Sequence, residues 1–95
     1  MVEIVNNDAA RQWEARVDGE LAGYAEYRTQ RGRAIFTHTV VEPRFEGQGI
    51  GTALAKAAVE DAIGRGLRIT PYCPFIRAWL KRHPDYDAHV DWPTK

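Results

Sequence analysis

A single cysteine, Cys73, stands in a chain of 95 residues, so no intramolecular disulfide can form and the sequence suits a reducing compartment. No apolar run approaches the roughly 20 residues that span a bilayer. The opening Met1-Val2-Glu3-Ile4-Val5-Asn6-Asn7 lacks the basic start and long apolar stretch of a secretion signal. A dominant sign of charge is missing too: 13 Lys and Arg balance 13 Asp and Glu, which removes any global pull toward nucleic acid or an anionic membrane. Internal repeats, low-complexity tracts and linker-like segments are absent. These absences lead to the expectation of one soluble, cytoplasmic domain over residues 1–95.

The first half reads as strands. Val2, Ile4 and Val5 suggest a short first strand. From Gln12 to Val17, Trp13, Ala15 and Val17 alternate with Glu14 and Arg16, the period of a half-buried strand. Asp18-Gly19 is a hairpin turn of the type I′ kind, and a strand from Glu20 to Arg28 follows. Gln30-Arg31-Gly32 turns the chain into a strand from Arg33 to Val41, rich in β-branched and aromatic residues. At Glu42-Pro43 the period changes: Ile50, Ala53, Leu54, Ala57, Ala58 and Ala62 recur at helical spacing, with Lys56, Glu60 and Asp61 outward and Gly64 and Gly66 at the end. Leu67–Thr70 is a short strand expected to run parallel to Arg33–Val41. A second helix carries Phe75, Ile76, Trp79 and Leu80 on its buried stripe and stops near His83-Pro84. The polar tail from Asp85 is expected to be loosely held.

Between strand and helix lies Glu46-Gly47-Gln48-Gly49-Ile50-Gly51. Glycines at alternate positions mark backbone that takes φ > 0 or approaches a ligand closely. The following helix aims its free N–H groups and positive dipole end at that loop, an arrangement that receives phosphate. A P-loop would need a lysine after Gly51, and none is there. A dinucleotide fingerprint would place its third glycine one position later and would follow the first strand of a βαβ unit.

The loop resembles the acetyl-coenzyme A loop of the GNAT superfamily of N-acetyltransferases, whose signature is Arg/Gln-x-x-Gly-x-Gly/Ala at the start of a helix. Val40-Val41-Glu42-Pro43 before the loop supports the resemblance. So does Ile69-Thr70-Pro71-Tyr72-Cys73-Pro74-Phe75, followed by Trp79 and Arg82-His83-Pro84-Asp85-Tyr86; these stretches are similar to a subgroup of minimal GNAT-like proteins. The resemblance implies an α/β (α+β) fold with a mixed, mostly antiparallel sheet and two main helices. It also implies acetyl-CoA as cofactor, its phosphates at Gly47, Gln48, Gly49, Ile50, Gly51 and Thr52 and its pantetheine arm along Thr39, Val40 and Val41. Glu46 departs from the signature, and a carboxylate there weakens binding of a pyrophosphate. Gln48 and Arg44 are the nearby groups that could offset it.

Two side chains stand out for chemistry. Cys73 precedes Pro74 at a helix start, where a thiolate is stabilised, and near the splay that the resemblance implies it could accept an acetyl group. His38 shares a period-2 face with Ala34, Phe36 and Val40 and could act as a base toward an amine or Cys73. The expected activity is acetyl transfer to an amine acceptor, directly or through Cys73. The alternative is a non-catalytic CoA-binding module acting with a partner protein. No nucleic acid, membrane or metal is expected, and so short a chain could rely on an exposed acceptor amine or on a homodimer to complete its pocket.

Overall fold

The computed structural model describes residues Val2–Pro93. Alternating side chains and tight turns fold the first half into an antiparallel meander of β1 (Val2–Asn7), β2 (Gln12–Val17), β3 (Glu20–Gln30) and β4 (Arg33–Val41). The turns follow the sequence reading. Asp18 and Gly19 both have positive φ, 51° and 83°, and so do Arg31 and Gly32 at 52° and 77°, the handedness that a two-residue hairpin requires. Helix α1 (Ile50–Gly64) then crosses to β5 (Arg68–Pro71), which pairs parallel to β4. The sheet order is β1-β2-β3-β4-β5, and α2 (Pro74–Lys81) follows. This is the mixed, mostly antiparallel sheet with two main helices expected above.

Helix α1 buries Ile50, Leu54, Ala58 and Ala62 as its spacing predicts, and Ala55 and Val59 as well. Its alanines allow the helix to lie close on the sheet, where Ala15, Ala25, Ala34 and Phe36 belong to the same buried core. Gly66, at φ 76°, turns the chain out of the helix, and the Leu67 N–H closes on the Ala62 carbonyl at 2.9 Å.

Two β-bulges shape the meander. Opposite Ala15 and Arg16 the register skips Ala22 on β3, and opposite Glu26 and Tyr27 it skips Thr37 on β4. The extra residue at Thr37 reverses side-chain parity along β4. Ala34 and Phe36 are buried before it, whereas Thr39 and Val41 are the half-buried residues after it. The expectation that His38 shares a face with Ala34 and Phe36 is therefore overturned: its side chain is 70% exposed and meets Glu26 at 3.2 Å.

Two further expectations are corrected. Glu14 lies on the sheet face opposite α1, yet it is only 5% exposed. The Asn7 and Gln12 amides and the Arg16 guanidinium converge on its carboxylate at 2.9, 2.7 and 2.9 Å. Those hydrogen bonds, from Asn7 foremost, hold its pKa below the ordinary value. The tail is docked rather than loose. Pro84–His89 forms a 3-10 turn, Val90 bridges to Ile69, and the Asp91 N–H donates to the Ile69 carbonyl at 2.8 Å. Backbone pairing on the β5 edge anchors a segment whose composition looks polar.

Candidate functional site

The β4–β5 ladder ends at Phe36↔Pro71. The Phe36 carbonyl then accepts the N–H groups of both Tyr72 and Cys73 at 3.0 Å each, and the chain turns away into α2. Beyond that point, among the described residues, Thr39–Val41 pairs with β3 alone. One backbone edge of β4 is free to pair with an extended, amide-bearing ligand.

The glycine loop borders the end of that edge. A 3-10 turn, Pro43–Phe45, delivers the chain into it. Gly47 and Gly49 have φ of 83° and 75°, conformations that disfavour any side chain beyond glycine's hydrogen. Apart from the adjoining residues of the chain, no described atom lies within 4 Å of where their Cβ atoms would stand, so the space above the loop is open. Gly49 is the N-cap of α1 and provides no side chain to satisfy the first turn. The N–H groups of that turn are free for an anion, with the positive end of the helix dipole behind them.

Edge and loop together enclose a cleft of about 400 Å³. Thr39, Val41, Gly47, Gly49, Ile50, Gly51 and Thr52 line it, seven of the residues named from sequence. Gln48 and Val40 do not; the Val40 side chain is on the exposed side of its strand. Two lining residues, Phe45 and Phe75, escaped the sequence reading as cleft walls, and Glu46 lines the cleft at the start of the glycine loop. The helical period assigned Phe75 to the buried stripe of α2, but it is 38% exposed and its ring covers Gly51. Its place next to Pro74, at the helix start rather than mid-stripe, was the available signal.

Among the described residues no cationic side chain lines the cleft, and Glu46 faces it. Arg44 does not offset that charge. Its guanidinium is 2.6 Å from Glu20 and stacks over the Phe45 ring at 4.7 Å.

Cys73 is the N-cap residue of α2, ahead of Pro74. The thiol is 2% exposed, and its Sγ lies 3.1 Å from the Thr39 hydroxyl. Thr39 thus touches both the cleft and the thiol. His38, on the opposite face, belongs to a separate surface cleft with Arg11, Glu26 and Arg28. The structure therefore brings Cys73 to the edge of the glycine-loop cleft and keeps His38 away from it. His83 donates from Nδ1 to the Trp79 carbonyl, 2.7 Å away, and stacks on the Trp79 ring, a packing role. Among the described residues no group of His, Cys, Asp and Glu is arranged to hold a metal ion, and no helix is long and apolar enough to cross a membrane.

A family model described as GCN5-related N-acetyl-transferase matches residues 12–90, which include the sheet from β2 onward, the cleft and both helices. Among solved structures, a GCN5-like candidate N-acetyltransferase from Staphylococcus aureus superposes with a TM-score of 0.74 at 24% identity, covering 97% of this chain and 90% of that one. A ribosomal-protein-alanine N-acetyltransferase from Brucella melitensis biovar Abortus 2308 superposes with a TM-score of 0.63 at 22% identity, covering 88% of this chain and 66% of that one. No curated protein sequence matches the chain.

Proposed function

The chain belongs to the GCN5-related N-acetyl-transferase family, and from that premise we propose that it transfers acetyl from acetyl-CoA to an amine acceptor through the glycine-loop cleft. The observation that carries this reading is the cleft itself, in which a row of free backbone N–H groups meets a free strand edge. The diphosphate would meet the N–H groups of Gly47–Thr52, with the Thr52 hydroxyl beside them. The amides of the pantetheine arm would pair with Thr39–Val41; only backbone is needed there, so the outward side chain of Val40 is no obstacle. The thioester would then lie toward the splay, near Thr39 and Cys73.

In direct transfer, a neutral amine attacks the thioester carbonyl. A C–N bond forms, the C–S bond breaks, and the amine proton passes through water to the departing CoA sulfur. His38 lies outside the cleft and is not the base in this reading. In a two-step transfer, the Cys73 thiolate displaces CoA and the acetyl-Cys73 thioester is then attacked by the amine. With so short a chain around the cleft, the acceptor amine is best placed on a large exposed substrate, such as a protein lysine or N-terminus, or in a pocket completed by a second copy of the chain.

Calorimetric titration with acetyl-CoA, with acetyl-pantetheine as the control lacking nucleotide, tests the donor site. Heat that depends on the phosphates supports it; no heat at millimolar ligand with the fold intact overturns it. Acetyl label recovered on Cys73 selects the two-step route. A second reading, a CoA-binding module serving a partner protein, is favoured by Glu46 and by the lack of a histidine on the cleft wall. Binding without turnover toward any amine selects that reading.

A further inference from the structure

At the other end of the sheet, β3 outruns β2. Their ladder stops at Gln12↔Glu26, and the next N–H, that of Tyr27, is taken by the Arg11 carbonyl at 3.0 Å. Arg28, Thr29 and Gln30 pair with β4 only. By the two-residue period, Thr29 then directs its N–H and carbonyl to the open side.

Three adjoining clefts surround this free edge. One of about 340 Å³ lies between it and the turn at Asp8. A second of about 280 Å³ extends toward Thr37 and His38, and a third of about 300 Å³ lies at the hairpin tip beside Ile35. Arg11 and Arg28 border the first two, and Arg31 and Arg33 border the third. Arg11, Arg28 and Arg31 are exposed, and among the described residues none of the three has a side-chain hydrogen bond or ion pair. The acidic residues alongside are already engaged. Asp8 accepts from the Tyr27 hydroxyl at 3.4 Å, and Glu26 meets His38.

Backbone conformation supplies an independent sign. Arg11 and Arg31 sit at φ 56° and 52°, in the left-handed region where glycine or asparagine is ordinarily favoured. The sequence places unpaired guanidinium groups at two positions where their backbone is costly, one at each end of the same groove.

We propose that this arginine-lined edge docks an extended acidic segment of a partner protein, which adds a short strand to β3 and sets its carboxylates against Arg11, Arg28 and Arg31. A peptide fits the site better than a nucleic acid. It supplies backbone N–H and carbonyl groups that can pair with the free edge, which a sugar-phosphate chain does not. None of the residues that border this surface lines the acetyl-transfer cleft, so the inference stands whether or not that cleft takes acetyl-CoA.

The test is titration of the isotope-labelled full chain with a short peptide of alternating Glu and Val, followed by amide NMR. The expected result is shifts at Arg11 and Arg28–Arg33, with Gly47–Thr52 unmoved, and binding that weakens as salt rises. The Arg11→Glu/Arg28→Glu variant should bind at least about tenfold more weakly, with circular dichroism confirming its fold. Arg28→Gln provides a milder variant should the double one fail to fold, and should still weaken binding. Equal binding by a matched Lys/Val peptide, the same shifts from inorganic phosphate alone, tighter binding of a single-stranded oligonucleotide, or shifts confined to other surfaces would each overturn the proposal.

Discussion

The Phe75 ring occupies the space where a side chain at residue 51 would begin: a Cβ on Gly51 would stand 2.7 Å from Phe75 Cζ. That contact joins α1 to α2 at the wall of the cleft. In Gly51→Ala the ring must move. It is the far end of a partly exposed side chain and can swing outward at a cost of about 1–2 kcal/mol. Alanine returns about 1 kcal/mol of helix propensity. Stability should therefore change by no more than about 1 kcal/mol in a denaturant titration, while acetyl-CoA affinity falls because the displaced ring enters the cleft. Phe75→Leu in the same background should restore much of the affinity. Normal affinity in Gly51→Ala alone would show that the Phe75 wall is not part of the ligand site.

Gly23 presents the opposite case. Its Cβ would stand 2.7 Å from the Val40 carbonyl oxygen and 3.3 Å from Ile50 Cγ2. The first of these is backbone in the central pair of strands and cannot swing away. Gly23→Ala should lose about 2–3 kcal/mol, although alanine normally suits a strand better than glycine does. Thermal unfolding checks it; an unchanged midpoint would mean that β3 and β4 can separate locally without cost.

Most of the fold was legible because its signals are local. Apolar alternation marked β2 and β4, hairpin dipeptides marked the turns, and the alanine spacing marked α1. The glycine loop was equally legible as a loop, since Gly47 and Gly49 are needed for their positive φ whatever surrounds them. What escaped was non-local. The bulge at Thr37 exists only in the pairing of β3 with β4, and it reverses where His38 and Thr39 point. The contact of Thr39 with Cys73 depends on that reversal. Phe75 reads as core by helical period alone, because nothing in α2 reports that the facing residue on α1 is a glycine.

Burial should dominate the behaviour of Cys73. At 2% exposed and in contact with the Thr39 hydroxyl, the thiol should react with an aromatic disulfide reagent at least about a hundredfold more slowly than a small free thiol, limited by local opening. Cys73→Ser keeps a partner for Thr39, and Cys73→Ala leaves a small void at a cost of about 1 kcal/mol. Turnover lost in both variants with binding retained indicates the acetyl-Cys route; turnover kept in both indicates direct attack. Fast, complete labelling of the folded protein would contradict the buried thiol.

Acid stability should depend on Glu14. Its folded pKa is depressed, chiefly by the Asn7 hydrogen bond and then by Gln12 and Arg16. A depressed carboxylate contributes stability that is fully present above its unfolded pKa and is lost as pH falls through the folded one. The Arg68 hydrogen bond depresses Asp91 in the same direction. The melting temperature of the wild-type chain should therefore hold at neutral pH and fall below about pH 4.5, the ordinary carboxylate value. Glu14→Gln should be less stable at neutral pH and show a shallower acid fall. Parallel pH curves for the two proteins would remove Glu14 from the account.

The docked tail allows burial and ion pairing to be compared directly. Val90 is 5% exposed where it bridges to Ile69. Two residues on either side of that bridge, Arg68 and Asp91, pair at 2.6 Å with side chains about half and a third exposed. An exposed pair of that kind contributes little and weakens with salt, whereas shaving the Val90 side chain to alanine should cost about 2 kcal/mol by lost burial and the void left behind. Arg68 also donates to the Ala88 and Val90 carbonyls at 2.6 and 3.3 Å, so Asp91→Ala leaves it partly engaged and keeps the tail in place. The Trp79 ring, stacked on His83 and Tyr86 at 4.1 and 5.5 Å, reports whether the 3-10 turn stays packed. Val90→Ala should lower the denaturation midpoint and alter Trp79 emission before global unfolding, and Asp91→Ala should do neither at moderate salt. The reverse order of effects would mean that the charge clasp, rather than apolar burial, holds the segment to β5.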